Sequence, residues 1–159
     1  MAEITPSSQP ISTRRIAAVV LLREDGAALL QHRDNKPGLP SAGLWVMPGG
    51  HCETDESLEA CACREFLEET AYTCQGLHWL LTIEGHQDQG RPPSDLTFFW
   101  ARYDGVQPVT CLEGQALEFI EREQAPNYPI EAYQVEIWDR AIAAANLIPL
   151  STQKTTSDL

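Results

Sequence analysis

Three glutamates near the middle of the chain, Glu65, Glu68 and Glu69, have the spacing of a cation-binding cluster. Side chains at i, i+3 and i+4 share one face of a helix, so the three carboxylates are expected to lie side by side. Like charges at this spacing repel by about 0.2–0.5 kcal/mol per pair, and Arg64 offers a local counter-charge. Carboxylate oxygens are preferred ligands of hard divalent cations. The cluster therefore predicts a metal site.

A solvated face of a surface helix in an acidic protein is the alternative interpretation of these glutamates. A solvated face would continue with polar residues, whereas the same stripe carries Leu58, Cys61 and Ala62 one and two turns earlier. This apolar continuation favours carboxylates that face protein or a cleft.

The elements that would position the cluster are a turn and a helix. Pro48-Gly49-Gly50 has turn composition, and the acidic segment after it predicts a helix over residues 55–70. Thr54 or Asp55 is the expected N-cap, because short oxygen-bearing side chains accept hydrogen bonds from the first turn of a helix.

The spacing from Gly50 to Tyr72 follows the pattern G-x5-E-x7-R-E-U-x-E-E-x-G-U, in which U is apolar. The sequence thereby resembles the Nudix hydrolases, and MutT-like members in particular. Ala71 and Tyr72 depart from the pattern, where the family has Gly and an aliphatic residue. With alanine at position 71, the chain would leave the helix through a left-handed conformation that is less stable by about 1 kcal/mol, or it would take another path. The matching residues are Gly50, Glu56, Arg64, Glu65, Phe66, Glu68 and Glu69.

The resemblance implies that the three glutamates bind Mg²⁺, for which Mn²⁺ can substitute, and that Glu65 and Glu68 thereby take part in catalysis. The backbone carbonyl of Gly49 or Gly50 is a further expected oxygen ligand, because a glycine backbone can approach an ion closely. A tight turn without a ligand role is the alternative for this glycine pair.

The resemblance also implies that Glu56 and Arg64 form an internal pair that braces the loop on the helix. An arginine can hold a carboxylate through two parallel hydrogen bonds, and such bracing orients metal ligands. We therefore expect Arg64 to be structural.

Arg33 and His51 are expected to bind substrate phosphates. MutT-type enzymes have a phosphate-contacting arginine at the corresponding strand end, and a planar guanidinium suits phosphate. A surface arginine and an incidental loop histidine are the alternatives.

Glu113 precedes Gly114 and Gln115, and this triplet is similar to a Glu-Gly-Gln triplet of MutT-type enzymes. In those enzymes the glutamate lies across the cleft from the metal-binding helix. Glu113 is therefore the candidate general base for the attacking water, with a loop carboxylate as the alternative reading. Glu118 and Glu121 are the reserve candidates.

Composition limits the partners and the compartment. A net charge of −12 disfavours a nucleic-acid phosphate backbone as partner. No apolar run reaches the length of about 18 residues that predicts a membrane span. Five cysteines, an odd number, are interpreted as reduced thiols of a cytoplasmic protein. A small-molecule nucleotide is the expected partner, and both a monomer and a homodimer remain open.

Apolar and alternating segments predict six strands and a second helix. A single domain over residues 14–148 is expected between a flexible arm, 1–13, and a flexible tail, 149–159. Two groups of strands with a helix after each predict an α/β fold with a mixed sheet between helices, and the Nudix resemblance implies the same α/β/α sandwich. The strands are predicted at 15–23, 27–33, 44–47, 77–83, 96–103 and 116–121, the second helix at 130–146, and a polar loop at 84–94.

The function expected from the resemblance is metal-dependent hydrolysis of a diphosphate linkage in a nucleoside diphosphate joined to another group. A MutT-like reaction, from nucleoside triphosphate to nucleoside monophosphate and pyrophosphate, is the first expectation. A nucleotide-sugar or ADP-ribose pyrophosphatase and a non-catalytic nucleotide-sensing domain are the alternatives.

Overall fold

The computed structural model describes residues 14–88 and 90–147. The predicted arm, 1–13, and tail, 149–159, lie outside the described residues, as does residue 148. No helix within the two described ranges is long and apolar enough to cross a bilayer. The strands are β1 Arg14–Leu22, β2 Ala28–His32, β3 Trp45–Val46, β4 Gly49–His51, β5 His78–His86, β6 Ser94–Arg102 and β7 Ala116–Ile120. The helices are α1 Leu58–Thr70, α2 Ala132–Ala144 and a 3₁₀ helix, Arg122–Asn127.

Strand β1 organises the sheet. It pairs in parallel with β6 along its whole length, and its opposite edge is shared by β2 near Leu22 and by β4 at residues 16–18. The other strand pairs are antiparallel, so the sheet is mixed, with order β3-β2-β1-β6-β5 and with β4 on β1 and β7 on β2. The short β4 leaves room on that edge for the turn that follows it.

The two faces of the sheet bury separate clusters of apolar side chains. Val20 and Leu22 of β1 pack in the cluster that contains Trp138 of α2, whereas Val19 and Leu21 pack with Phe66 of α1. Successive side chains of a strand point to opposite faces, so burial on both faces explains the continuous apolar run of β1. The sheet lies between the two helices, and the predicted α/β/α sandwich is confirmed.

Helix α1 begins later than predicted. Its N-cap is Ser57, whose Oγ accepts a hydrogen bond from the backbone N–H of Ala60 at 3.1 Å. The prediction of Thr54 or Asp55 as the cap is wrong. The reason is local, since Oε1 of Glu56 accepts from the backbone N–H of Glu53 at 3.0 Å and holds residues 53–56 as a turn.

Helix α1 ends in a left-handed conformation, even though the residue at that position is Ala71 and not glycine. Ala71 has φ 65°, and its N–H donates to the carbonyl of Leu67 at 2.9 Å. An alanine in the left-handed conformation is less stable than a glycine in the same conformation by about 1–2 kcal/mol. The chain therefore leaves α1 through the conformation that a glycine would adopt, although the Ala71 side chain makes that conformation less favourable.

Strand β5 is longer than predicted and extends to His86, although the sequence from Glu84 predicts a loop. The end of the strand is irregular, with a register shift between Ile83 and His86, and the N–H of Gly85 donates to Oδ1 of Asp95 at 2.9 Å. This strand forms one edge of the sheet. None of the side chains of β5 is fully buried, so polar residues are tolerated along it.

The prediction that all five cysteines are free thiols is wrong for two of them. Cys52 and Cys61 form a disulfide, with their Cα atoms 5.2 Å apart, whereas Cys63, Cys74 and Cys111 are free. The pairing of β4 with β1 and the packing of α1 on the sheet bring the two cysteines together across nine positions of sequence. Spacing alone does not indicate this approach.

Candidate active site

The prediction of a turn at Gly49 and Gly50 is wrong, because both glycines pair with β1 as part of strand β4, which lies against α1. Strand pairing puts Gly50 opposite Ala17 and Gly49 opposite Ala18. A Cβ on Gly49 would overlap the carbonyl oxygen of Ala17, and a Cβ on Gly50 would overlap the carboxyl group of Glu65. Only glycine fits at position 49, where the neighbouring atoms are backbone, whereas a side chain at position 50 would displace the carboxyl group of Glu65. The backbone of Gly50 and the carboxylate of Glu65 therefore lie in direct proximity.

A cavity of about 500 Å³ opens beside Gly49 and Gly50. Glu65 and Glu69 of α1 line it, and Glu113 lines it from the loop before β7. Glu68 does not line the cavity, and its side chain is 56 % exposed. The structure thus brings Glu113 together with two of the three glutamates of the cluster and leaves Glu68 at the surface.

Glu69 is the most constrained of these carboxylates. Its Oε1 accepts from the backbone N–H of Gly49 at 3.2 Å and from Nε2 of Gln31 at 3.3 Å. Burial, followed by the negative neighbours Glu113 and Glu65, raises the pKa of Glu69 well above its usual range. Burial also raises the pKa of Glu65, as do the negative neighbours Glu68 and Glu113, although Arg64 opposes the shift. The positive charge near these two carboxylates is therefore too small to offset burial and mutual repulsion.

The loop that carries Glu113 is tied to the end of β2. The backbone N–H of Gln115 donates to the carbonyl of His32 at 2.7 Å, and the side-chain Nε2 of Gln115 donates to the carbonyl of Arg33 at 2.8 Å. Gly114 has φ 85°, and a Cβ there would overlap the same His32 carbonyl. This turn holds Glu113 over the cavity, whereas Glu118 and Glu121 do not line it.

Arg64 connects the loop after β4 to α1. Its Nε and Nη2 donate to the two carboxylate oxygens of Glu56 at 2.6 and 2.9 Å, and Nη2 also donates to the carbonyl of His51 at 3.1 Å. Nη1 lies 3.3 Å from carboxylate oxygens of both Glu65 and Glu68. The arginine lowers the pKa of Glu56 to about 2 through these hydrogen bonds, and the pKa of Arg64 is raised in return.

A basic rim, formed by Arg14, Arg33, His51 and Arg91, lines the same cavity. Burial lowers the pKa of His51, and the positive charges of the three arginines lower it further. Nε of Arg33 donates to the carbonyl of Pro40 at 3.2 Å, and Arg91 donates to the carbonyl of Gly38. Four basic side chains thus line one cavity of a protein whose net charge is −12.

Arg33 and His51 of this rim were predicted from the sequence, whereas Arg14 and Arg91 were not. Arg91 lies in the polar segment 84–94, whose composition does not single out one residue. Gln31 was also missed, although its position gives a signal. It is a fully buried polar residue in the otherwise apolar run Ala28-Leu29-Leu30 of β2, and its amide reaches both Glu69 and the carbonyl of Glu113.

The donor set of the acidic wall suits a hard divalent cation. Glu69 is buried with a raised pKa, and its hydrogen-bond partners are an amide and a backbone N–H, neither of which carries positive charge. Oxygen donors that repel one another are the kind of set that Mg²⁺ binds. Within residues 14–88 and 90–147, no three His, Cys, Asp or Glu side chains stand in the arrangement of a complete metal site.

The cavity combines groups for two tasks. The acidic wall offers oxygen ligands and a carboxylate that can accept a proton, and the basic rim offers guanidinium groups that match phosphate oxygens. A polyanion could lie between the rim and a cation held by the wall.

Comparison with known proteins identifies the family. The sequence matches the NUDIX domain family over residues 12–141. A protein of Bacillus subtilis (strain 168) named "Putative 8-oxo-dGTP diphosphatase" is 43 % identical over 56 residues, which are 35 % of this chain and 34 % of that protein. A Caenorhabditis elegans protein named "Putative nudix hydrolase 1" is 34 % identical over 73 residues, which are 44 % of this chain and 20 % of that protein. The matched segments thus span about a third or less of the length of these two relatives.

Solved structures share the fold. A MutT NUDIX hydrolase from Burkholderia pseudomallei superposes with a TM-score of 0.70 at 21 % identity, over 82 % of this chain and 98 % of that one. The NUDIX domain of Shewanella oneidensis NrtR, complexed with ADP ribose, gives a TM-score of 0.71 at 21 % identity, over 89 % and 94 %. The family match, the shared α/β/α fold and the acidic motif together show that the chain belongs to the Nudix hydrolase family.

Proposed function

We propose that the protein is a Mg²⁺-dependent pyrophosphohydrolase that converts a nucleoside triphosphate to a nucleoside monophosphate and pyrophosphate. The observation that carries the proposal is one cavity with an acidic wall, Glu65, Glu69 and Glu113, and a basic rim of three arginines and His51. The similarity to a relative named as an 8-oxo-dGTP diphosphatase supports a triphosphate.

Glu65 and Glu69 would hold Mg²⁺ from the cavity wall, with the backbone carbonyl of Gly49 or Gly50 as a further ligand. Glu68 would join them by turning its exposed side chain away from Arg64. When bound, Mg²⁺ polarises phosphate oxygens and lowers the pKa of a coordinated water, and Mn²⁺ can substitute for it. The hydrogen bonds of Arg64 to Glu56 and to the carbonyl of His51 brace the loop on α1 and so fix the direction of the ligands.

Glu113 is the proposed general base. It takes a proton from water as the water oxygen forms a bond to phosphorus, and the bond from that phosphorus to the bridging oxygen breaks. Pyrophosphate then leaves with the electron pair of the broken bond. Its position on the cavity, next to Glu69 of the acidic helix, supports this role.

Arg33 and His51 are the proposed ligands of the substrate phosphates, and Arg14 and Arg91 share the same rim. A guanidinium can contact two phosphate oxygens at once, which holds the chain of phosphates in one direction. The proposal includes a small nucleotide as the partner. The expectation of a cytoplasmic location rested on five reduced thiols, and the Cys52–Cys61 disulfide removes that support.

A panel of nucleotides incubated with Mg²⁺ tests the proposal. We expect nucleoside monophosphate and pyrophosphate from at least one triphosphate, and neither product after Mg²⁺ is chelated. Cleavage of only nucleotide sugars or ADP-ribose would show that the protein is a nucleotide-sugar or ADP-ribose pyrophosphatase and does not act on triphosphates. Binding of nucleotides without turnover would show that the protein is a sensing domain.

A further inference from the structure

Gln31 is a buried polar residue that lines the cavity and has no role in the proposed reaction. It is 1 % exposed, although the residues of β2 before it are apolar. A buried amide destabilises a fold unless its hydrogen bonds are satisfied. The partners of this amide therefore indicate what the residue contributes to the site.

The amide nitrogen of Gln31 joins two parts of the acidic wall. Nε2 donates to Oε1 of Glu69 and to the backbone carbonyl of Glu113, both at 3.3 Å. An amide NH2 group has two hydrogens, so it can satisfy two acceptors at once, whereas a hydroxyl has one hydrogen and a carboxylate has none. A side chain of the same size without donors would leave both acceptors without this connection.

Gly114 leaves the space that the Gln31 side chain occupies. A Cβ on Gly114 would lie 3.1 Å from Cγ of Gln31 and would overlap the carbonyl oxygen of His32. The φ of Gly114 is 85°, a left-handed value that glycine adopts readily. The residue after the candidate base therefore packs directly on the side chain that bonds to the base's own carbonyl.

Backbone hydrogen bonds hold the loop before β7 on either side of this contact. The N–H of Leu112 donates to the carbonyl of Glu69 at 3.1 Å, and the N–H of Gln115 donates to a carbonyl of β2 at 2.7 Å. Glu113 lies between these two anchors, and Gln31 reaches it through its carbonyl. The amide thus connects α1, β2 and the loop at the point where the two carboxylates meet.

We propose that Gln31 is a positioning residue that fixes the candidate base, Glu113, relative to the carboxylate of Glu69. The inference rests on the proposed function for the roles of the two glutamates. A base must lie within hydrogen-bond reach of the attacking water, and a displacement of about 1 Å can lower a rate by about 10²-fold. Gln31 therefore sets a separation to which the rate is sensitive, and it exchanges no proton itself.

Gln31→Met removes the donors and keeps a side chain of similar size. Leu30→Met is the matched control, because Leu30 is a buried neighbour in β2 that packs on the opposite face of the sheet, and leucine and methionine have similar volumes. We expect Gln31→Met to lower kcat by about ten- to hundredfold, since it displaces groups of the acidic wall. KM should stay near the wild-type value, because the basic rim is untouched. Leu30→Met should keep both parameters.

A double-mutant cycle with Glu113→Gln shows whether Gln31 acts through the base. Once the base has been removed, its position no longer affects the rate. The double variant with Gln31→Met and Glu113→Gln should therefore lose much less activity than the product of the two single losses. The same cycle with Glu136→Gln, which changes an exposed glutamate of α2, should give the product.

Hydrogen exchange of the metal-free protein provides a measurement that needs no turnover. Peptides covering residues 110–115 should exchange faster in Gln31→Met than in wild type or Leu30→Met, because the loop has lost its contact at Glu113. If Gln31→Met does not fold, Gln31→Asn takes its place with the same expected results. Its amide is shorter by one methylene and does not reach both acceptors.

Three results would each overturn the inference: a kcat of Gln31→Met close to that of wild type, a cycle with Glu113→Gln that gives the product of the single losses, and unchanged exchange of residues 110–115. Any of these, with triphosphate turnover by wild type, would leave the proposed function standing. Absence of turnover by wild type would refute the proposed function, and the exchange data alone would then decide whether Gln31 holds the loop.

Discussion

The backbone N–H of Gly49 donates a hydrogen bond to Oε1 of Glu69 at 3.2 Å, which joins strand β4 to helix α1. Gln31 donates to the same oxygen from β2. Two strands and a helix therefore fix one carboxylate, and its position depends on the packing of α1 against the sheet.

Replacing Arg64 with lysine keeps the positive charge but removes the planar pair of hydrogen bonds to Glu56. We expect a loss of about 10- to 100-fold in Mg²⁺ affinity or kcat/KM, the usual effect of altering a residue that orients metal ligands. Arg122→Lys is the matched control, because Arg122 makes a similar two-point pair with Asp139 away from the cavity. Equal effects of the two substitutions on activity would contradict the bracing role.

The raised pKa of Glu69 predicts a pH-dependent stability in chelator. Above the ordinary glutamate value of 4.5, the folded carboxyl keeps a proton that the unfolded chain has lost. The free energy of unfolding should therefore fall as pH rises from that value, by up to about 1.4 kcal/mol per pH unit. The fall should end once the folded carboxyl also ionises.

Urea unfolding at several pH values, with and without Mg²⁺, measures this dependence. Glu69→Gln should flatten the slope in chelator, whereas Glu118→Gln, an exposed glutamate on β7, should preserve it. Mg²⁺ should also flatten the wild-type slope, because a bound cation stabilises the ionised form. A slope that is the same in both variants would show that another group controls the stability.

Local patterns predict the parts of the site that lie within one stretch of chain. The spacing of Glu56, Arg64 and the three glutamates indicates a metal-binding helix, since these positions are close through helix geometry. The division of roles among the glutamates is not predictable in this way. Glu69 is buried and Glu68 is exposed because the sheet covers only part of the shared face.

Contacts between distant segments account for what the sequence does not reveal. Arg91 contacts Gly38 across 53 positions, and Glu131 meets Ser41 across 90. The disulfide has the same origin, because β4 and α1 approach each other only when both pack on β1. The central strand β1 was predictable, since burial on both faces leaves a continuous apolar run.

Glu113→Gln keeps the size of the side chain and removes its basicity. Because a positioned general base contributes about 10²- to 10⁴-fold, kcat should fall by that order while Mg²⁺ affinity stays near the wild-type value. Steady-state kinetics and a Mg²⁺ titration on the same variant provide the measurement. A kcat close to that of wild type would exclude Glu113, and Glu118→Gln and Glu121→Gln would then be tested in its place.

Arg33→Ala should raise KM for a triphosphate more than it lowers kcat. A residue that holds the phosphates equally in the ground state and the transition state contributes to binding alone. Arg140→Ala, an exposed position on α2, is the control. Initial rates over a range of triphosphate concentrations measure both parameters. An unchanged KM in Arg33→Ala would show that Arg33 is a surface residue that does not bind the phosphates.

Pyrophosphate release from a nucleoside triphosphate, measured while free Mg²⁺ is varied, tests the central claim most directly. Wild type should be inactive in excess chelator and gain activity with Mg²⁺. Glu68→Gln and Glu69→Gln should both abolish most of the metal-dependent rate, whereas Glu136→Gln should retain it. Full pyrophosphate release by wild type in excess chelator would contradict the account.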